Sequence, residues 1–154
     1  MTEKFLRSAI DISVENVKNG GGPFGAVIVK DGEIIASAGN QVTTHNDPTA
    51  HAEINAIREA AQKLQTFDLS GCEIYASCEP CPMCLGAIYW ARLDKLYFAA
   101  SREDAQEAGF DDALIYEEIS LEPEKRKVPT RQLLRDEAAQ AFSAWKRHED
   151  KTEY

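Results

Sequence analysis

His51, Ala52 and Glu53, followed further along the chain by Pro80-Cys81-Pro82-Met83-Cys84, supply an imidazole, a carboxylate and two thiols at metal-ligand spacing. These are the residue types that bind zinc. The ion prefers four tetrahedral N or S ligands, all from protein in structural sites but with one position left for water in catalytic ones. His51, Cys81 and Cys84 provide three such ligands. Glu53 is then either a fourth ligand or an acid held off the metal that carries protons to and from water, the division of labour hydrolysis needs. The alternative is a closed zinc knot whose fourth ligand is Cys78, three positions before Cys81. Pro80 holds the intervening loop extended, so Cys78 reads as a loop or core thiol.

The elements that must position these groups are visible in the pattern. Phe5, Leu6, Ala9, Ile10, Ile12, Ser13, Val14 and Val17 recur at helical spacing, and Gly20-Gly21-Gly22-Pro23 ends that helix. Phe24 to Lys30 and Glu33 to Ala38 are β-rich runs around Asp31-Gly32, a pair suited to a type I′ hairpin turn. Gly39 to Thr49 is polar and broken by Asn46-Asp47-Pro48, after which Ala50 to Leu64 reads as a helix. Cys72 to Ser77 is a strand, and Pro82 fits the first turn of a helix running to about Ala91. Leu93 to Ala100 predicts a strand, Glu103 to Ala108 a short helix ended by Gly109, Asp112 to Ile119 a further helical turn or two, Val128-Pro129-Thr130 a last short strand, and Ala138 to Glu149 a closing amphipathic helix. Interleaved helices and strands, with one hairpin, predict an α/β sandwich around a mixed sheet.

Both ligand groups therefore fall at helix starts. Residues two apart point to nearly opposite sides of a helix, but at its mouth side chains lean toward the N-terminus, so His51 and Glu53 can gather above the axis end. Cys81 and Cys84 share one face of their own helix. Two helix N-termini aimed at one ion add partial positive charge, which favours thiolates.

At 154 residues the chain suits one domain, 1–154, able to bury about 68–70% of its unfolded surface. Its 44% hydrophobic and 28% charged residues suit a soluble globular protein. The N-terminus carries no apolar signal run, so a cytoplasmic location is expected and no membrane partner. Four cysteines crowded at Cys72, Cys78, Cys81 and Cys84 then favour metal ligation over disulfides. A formal charge of −9 argues against nucleic acid as a partner. His45 and His148 lack partners at ligand spacing and read as surface imidazoles.

The pattern H-x-E followed by P-C-x-x-C resembles the zinc nucleobase deaminases. Gly22-Pro23-Phe24-Gly25-Ala26, Asn46-Asp47-Pro48-Thr49-Ala50-His51-Ala52-Glu53, the run from Cys81 to Arg92 and Gly109-Phe110-Asp111-Asp112 together look like the small bacterial guanine deaminases of the cytidine deaminase-like superfamily. The resemblance implies a three-layer α/β/α sandwich with a central mixed sheet of about five strands. It also implies one Zn2+ per subunit, Glu53 as proton carrier rather than ligand, and hydrolysis of free guanine to xanthine and ammonia in purine catabolism or salvage. Asn40 matches the position that binds the base in related deaminases, although Asn is also common at turn starts. Asp112 can accept the imidazole N–H that a free purine base carries and a nucleoside has lost, or can cap a helix. Phe24 and Trp90 can pack on a flat ring or in the core. Relatives form homodimers whose C-terminal segment can close the pocket, which draws attention to Tyr154. A tRNA adenosine deaminase, a cytosine deaminase and a zinc-stabilised binding module remain as alternatives, the first disfavoured by the acidic charge.

Overall fold

The computed structural model describes residues 1–154. In chain order the elements are α1 (Thr2–Lys18), β1 (Gly25–Lys30), β2 (Glu33–Gly39), α2 (Val42–His45), α3 (Ala52–Leu64), β3 (Cys72–Cys78), α4 (Pro82–Trp90), β4 (Lys95–Ala100), α5 (Arg102–Glu107), α6 (Ala113–Ile119), a 3-10 turn (Pro123–Lys125) and α7 (Arg135–Arg147). They form two compact units, Met1–Asp112 and Ala113–Tyr154, where the sequence predicts one domain.

The first unit is a mixed sheet of four strands in the order β2-β1-β3-β4, with helices on both faces. β1 runs antiparallel to both β2 and β3, and β3 runs parallel to β4. Because side chains alternate along a strand, β1 feeds two cores. Ala26 and Ile28 join Ala36, Ile74, Ile88 and the small residues Ala52, Ala56 and Ala60 of α3. Val27 and Val29 join Phe5 and Tyr75 under α1. A strand buried on both faces must be a continuous apolar run, which is why Ala26-Val27-Ile28-Val29 shows no polar alternation. Asp31 and Gly32 both take positive φ, 50° and 80°, as the type I′ turn requires.

The outer strand β2 carries a bulge. Ile28 pairs with Ala36 but Val29 pairs with Ile34, so Ile35 has no partner in β1. Its carbonyl accepts a hydrogen bond from Lys63 Nζ at 2.9 Å. A bulge and a lysine are two devices that blunt an exposed sheet edge.

The sheet has four strands, against about five expected, because Val128-Pro129-Thr130 forms no strand. Pro129 has no N–H to give a ladder, and the preceding Lys127 N–H donates instead to Glu118 Oε2. The α2 turn was not anticipated: Asn46 adopts φ 50° and ends it, inside a stretch whose polar composition carries no helical period. The closing helix is amphipathic in sequence, but α7 holds no buried residue, and Phe142 is 70% exposed.

α1 rests directly on β1 at Gly25. A Cβ there would lie 2.3 Å from the Ala9 carbonyl oxygen and 2.8 Å from the Ser13 nitrogen. Gly25→Ala is therefore expected to lower stability by about 1–3 kcal/mol through overpacking, measured by urea denaturation; an unchanged midpoint would show that α1 can move away freely.

Candidate metal centre

The loop leading to α3 is shaped by its own polar residues. Asp47 Oδ1 accepts hydrogen bonds from the Thr49 N–H at 2.9 Å and the Thr49 hydroxyl at 2.7 Å, an Asx-type turn that also holds the Asp47 carboxyl below its ordinary range. His51 then takes an extended backbone, φ −67° and ψ 155°, as the N-cap of α3. That answers the objection raised by the two-residue spacing: His51 stands outside the helix while Glu53 lies in its first turn, so both reach the same point. Cys81 repeats the arrangement as the extended N-cap of α4, and Pro82 occupies the first helical position, where a missing N–H costs nothing.

These two helix starts bring His51, Cys81 and Cys84 together, their ligand atoms all within 4.8 Å of one another. His51 Nδ1 lies 3.5 Å from Cys81 Sγ and 3.5 Å from Cys84 Sγ. With Zn–N of about 2.0–2.1 Å and Zn–S of about 2.3 Å, a tetrahedral ion separates its N and S ligands by about 3.6 Å. The donor set and its spacing fit zinc.

Hydrogen bonding divides the charge between the two thiols. The Cys81 sulfur, bonded to Cys84 and then to His51, is lowered to about 4. The Cys84 thiol is pushed up by that same bond to Cys81 and by burial. His51 is raised by its hydrogen bond to Cys81, against the opposing effect of burial. Glu53 is 7% exposed, and burial pushes its carboxyl above the ordinary range, opposed by a hydrogen bond with Cys84. A carboxyl so placed holds a proton readily.

Cys78 ends β3 as a buried thiol raised to about 11, chiefly by burial; its Sγ–H donates to the Ser101 carbonyl at 3.6 Å and it stands outside the ligand group. Cys72 is buried at the start of β3. Glu79 pairs with Arg102 at 3.3 Å.

Asn40, 9% exposed, follows β2; its N–H donates to the Phe24 carbonyl at 3.2 Å, and its Oδ1 accepts the Val42 N–H at 3.1 Å. The next residue, Gln41, donates to the Ala50 carbonyl at 2.9 Å, which ties Asn40 to the residue before His51. Phe24 meets Phe110 edge to face at 4.9 Å. Asp112, half-buried, directly precedes α6. Trp90 is the last residue of α4, about 13 Å along the axis from the Cys81 cap at about 1.5 Å per residue, and 69% exposed, so the structure does not bring it to the ligand cluster. Tyr154, in the second unit, lies edge-on to Trp145 with ring centroids 6.5 Å apart.

Asn55 is a supporting residue that sequence reasoning missed. Its Nδ2 donates to the Gly39 carbonyl at 3.0 Å and the Ala50 carbonyl at 3.1 Å, binding the end of β2 to the His51 loop. A polar amide four positions after His51 is the signal that points to it.

A zinc-binding deaminase scaffold is thus defined by fold and site together, and residues 1–100 match the cytidine and deoxycytidylate deaminase zinc-binding region. The chain belongs to that family. It is 54% identical over 153 residues to the guanine deaminase of Bacillus subtilis, covering 99% of this chain and 98% of that protein. The crystal structure of the B. subtilis guanine deaminase superposes with a TM-score of 0.96, again covering 99% and 98% of the two chains. A guanine deaminase from Nitrosomonas europaea aligns at a TM-score of 0.68 and 36% identity, over 70% of this chain and 63% of that one. The tRNA-specific adenosine deaminase of Aquifex aeolicus is 47% identical over 98 residues, spanning 64% of this chain and 65% of that protein.

Metal analysis of purified variants tests the ligand set. His51→Ala and Cys84→Ser are expected to fall well below one zinc per chain, whereas Glu53→Gln and Cys78→Ser retain it; loss of zinc from Cys78→Ser would restore the closed knot.

Proposed function

We propose that this protein converts free guanine to xanthine and ammonia by hydrolysis. The observation that carries the reading is the His51–Cys81–Cys84 cluster at tetrahedral spacing with a buried Glu53 carboxyl against it, in a chain similar to a guanine deaminase over nearly its full length. His51, Cys81 and Cys84 would hold zinc, and the ion when bound would lower the pKa of a water so that it can attack at neutral pH. Glu53 would take one proton from the attacking water and pass it to the ring nitrogen beside C2, then take the second from the new C2 hydroxyl and deliver it to the amine, which leaves as ammonia. The C2–O bond forms first and the exocyclic C2–N bond breaks second, so guanine and water leave as xanthine and ammonia.

Recognition follows from donors and acceptors. The Asn40 Oδ1 is committed to Val42 N–H, which leaves the Nδ2 donors to face an acceptor, the guanine carbonyl. The Asp112 carboxylate accepts the imidazole N–H of a free base, a hydrogen that a nucleoside lacks. Phe24, braced edge-on by Phe110, packs on the purine ring. The net charge of −9 disfavours a polyanionic RNA substrate. No helix is long and apolar enough to cross a membrane.

The second unit leaves Phe142 and Tyr154 exposed at 70% and 72%. These apolar groups support a homodimer in which the C-terminal segment, through Tyr154 of its own or the partner subunit, closes the pocket.

Ammonia release is expected from guanine and not from guanosine, adenine or cytosine, with Glu53→Gln lowering turnover by about 10²–10⁴-fold at unchanged zinc content. Efficient guanosine turnover with an inert free base would reject the substrate assignment. Removing residues 151–154 is expected to impair turnover while zinc stays bound; unchanged kinetics would remove the C-terminal closure.

A further inference from the structure

Asn16, in the last turns of α1, reaches across to the segment that presents Asn40. Its Nδ2 spends both hydrogens there, donating to the Gly22 carbonyl at 2.7 Å and to the Asn40 carbonyl at 2.9 Å. Glycines make room for it. A Cβ at Gly21 would stand 2.4 Å from Asn16 Nδ2, and one at Gly39 would stand 2.5 Å from its Oδ1. Gly22 in turn lies under the Asn40 carboxamide, where a Cβ would come within 3.2 Å of Cγ and 3.3 Å of Oδ1. The backbone on both sides of Asn40 is thus pinned, by the Asn16 amide at its carbonyl and by Phe24 at its N–H.

Holding α1 to the sheet does not require this. The buried residues of α1 are Phe5, Ala9 and Ser13, and α1 lies close against β1 at Gly25; Asn16 lies beyond all of them along the helix and is only half-buried. Its two bonds go instead to carbonyls flanking the base-recognition amide.

We propose that Asn16 is a positioning residue for base recognition: by clamping the Gly22 and Asn40 carbonyls, it fixes the direction in which the Asn40 carboxamide donates to the carbonyl edge of a purine. The inference rests on the deaminase reading above and adds to it a residue that touches no substrate. Misplacing a recognition group by about 1 Å costs on the order of 10²-fold in rate, so a clamp of this kind registers in specificity before it registers in folding.

The test compares guanine with 2-aminopurine, which keeps the C2 amine and lacks the carbonyl oxygen. The wild-type protein, Asn16→Ala, the near-isosteric Asn16→Asp, Asn40→Ala and the Asn16→Ala/Asn40→Ala double variant are assayed for kcat/KM on both bases, alongside zinc content and Tm. For the Asn16 variants, kcat/KM on guanine is expected to fall roughly 10–100-fold and on 2-aminopurine by less than about threefold, with zinc retained. The double variant should lose little beyond Asn40→Ala, since residues acting through one another are non-additive. Gly39→Ala, whose new methyl group displaces the Asn16 side chain, should show the same narrowing of the guanine preference even if the Asn16 variants fold poorly. Equal losses on the two bases, additive losses in the double variant, or a wild-type protein that does not prefer guanine over 2-aminopurine would overturn the inference while leaving guanine deamination standing. A wild-type protein that releases no ammonia from guanine would overturn the deaminase reading and this inference together.

Discussion

The structure depends on two helices starting at the same place. His51 and Cys81 are each the extended residue immediately before a helix, and Cys84 and Glu53 follow within the first turns. A cap residue has a side chain free of the helical spiral, and the unpaired N–H groups behind it carry partial positive charge. Convergence of α3 and α4 therefore gathers the ligands, and the contacts it creates, chiefly the hydrogen bonds from Cys84 and His51, hold the Cys81 thiol well below its ordinary range. The rest of the first unit serves that convergence. Ala52, Ala56 and Ala60 let α3 lie close on the sheet, Ile88 anchors α4 in the same core, and Asn55 ties the approach loop to the end of β2.

Most of this is legible in the amino-acid sequence, because the site is local in sequence. The ligand spacing lies within two short motifs, Pro82 marks the start of α4, and Asp31-Gly32 marks the hairpin. The apolar run of β1 and the helical period of α1 were equally plain. What stayed hidden depends on contacts between distant segments. Asn55 and Asn16 read as ordinary polar positions on helices until their amides are seen bonded to the carbonyls of Gly39, Ala50, Gly22 and Asn40. Val128-Pro129-Thr130 has β-branched residues but no ladder partner, and α7 has an apolar stripe that its own unit does not cover. Trp90 ends the helix that Cys81 caps and that carries Cys84, and it is exposed rather than packed in the core.

Two kinds of polar burial meet at the site. Glu53 is nearly enclosed, with its carboxyl driven toward the neutral form by loss of water. Asn40 is equally enclosed, yet its oxygen is satisfied by Val42 and its main chain is held on both sides. The first is a carboxyl short of water; the second is an amide held by hydrogen bonds. In the function proposed above, chemistry and selectivity would fall on different segments of the chain, the start of α3 and the end of β2.

The bulge at Ile35 sets β2 apart from its neighbours. β1 keeps an unbroken register with β3, and β3 with β4, while β1 and β2 slip by one residue between Ile28 and Val29. Adding or deleting a residue inside β1 would exchange the side chains of its two faces, sending Val27 and Val29 toward the zinc helices. The edge strand β2 already accommodates an extra residue without such an exchange, so a change of length there costs the two cores less than the same change in β1.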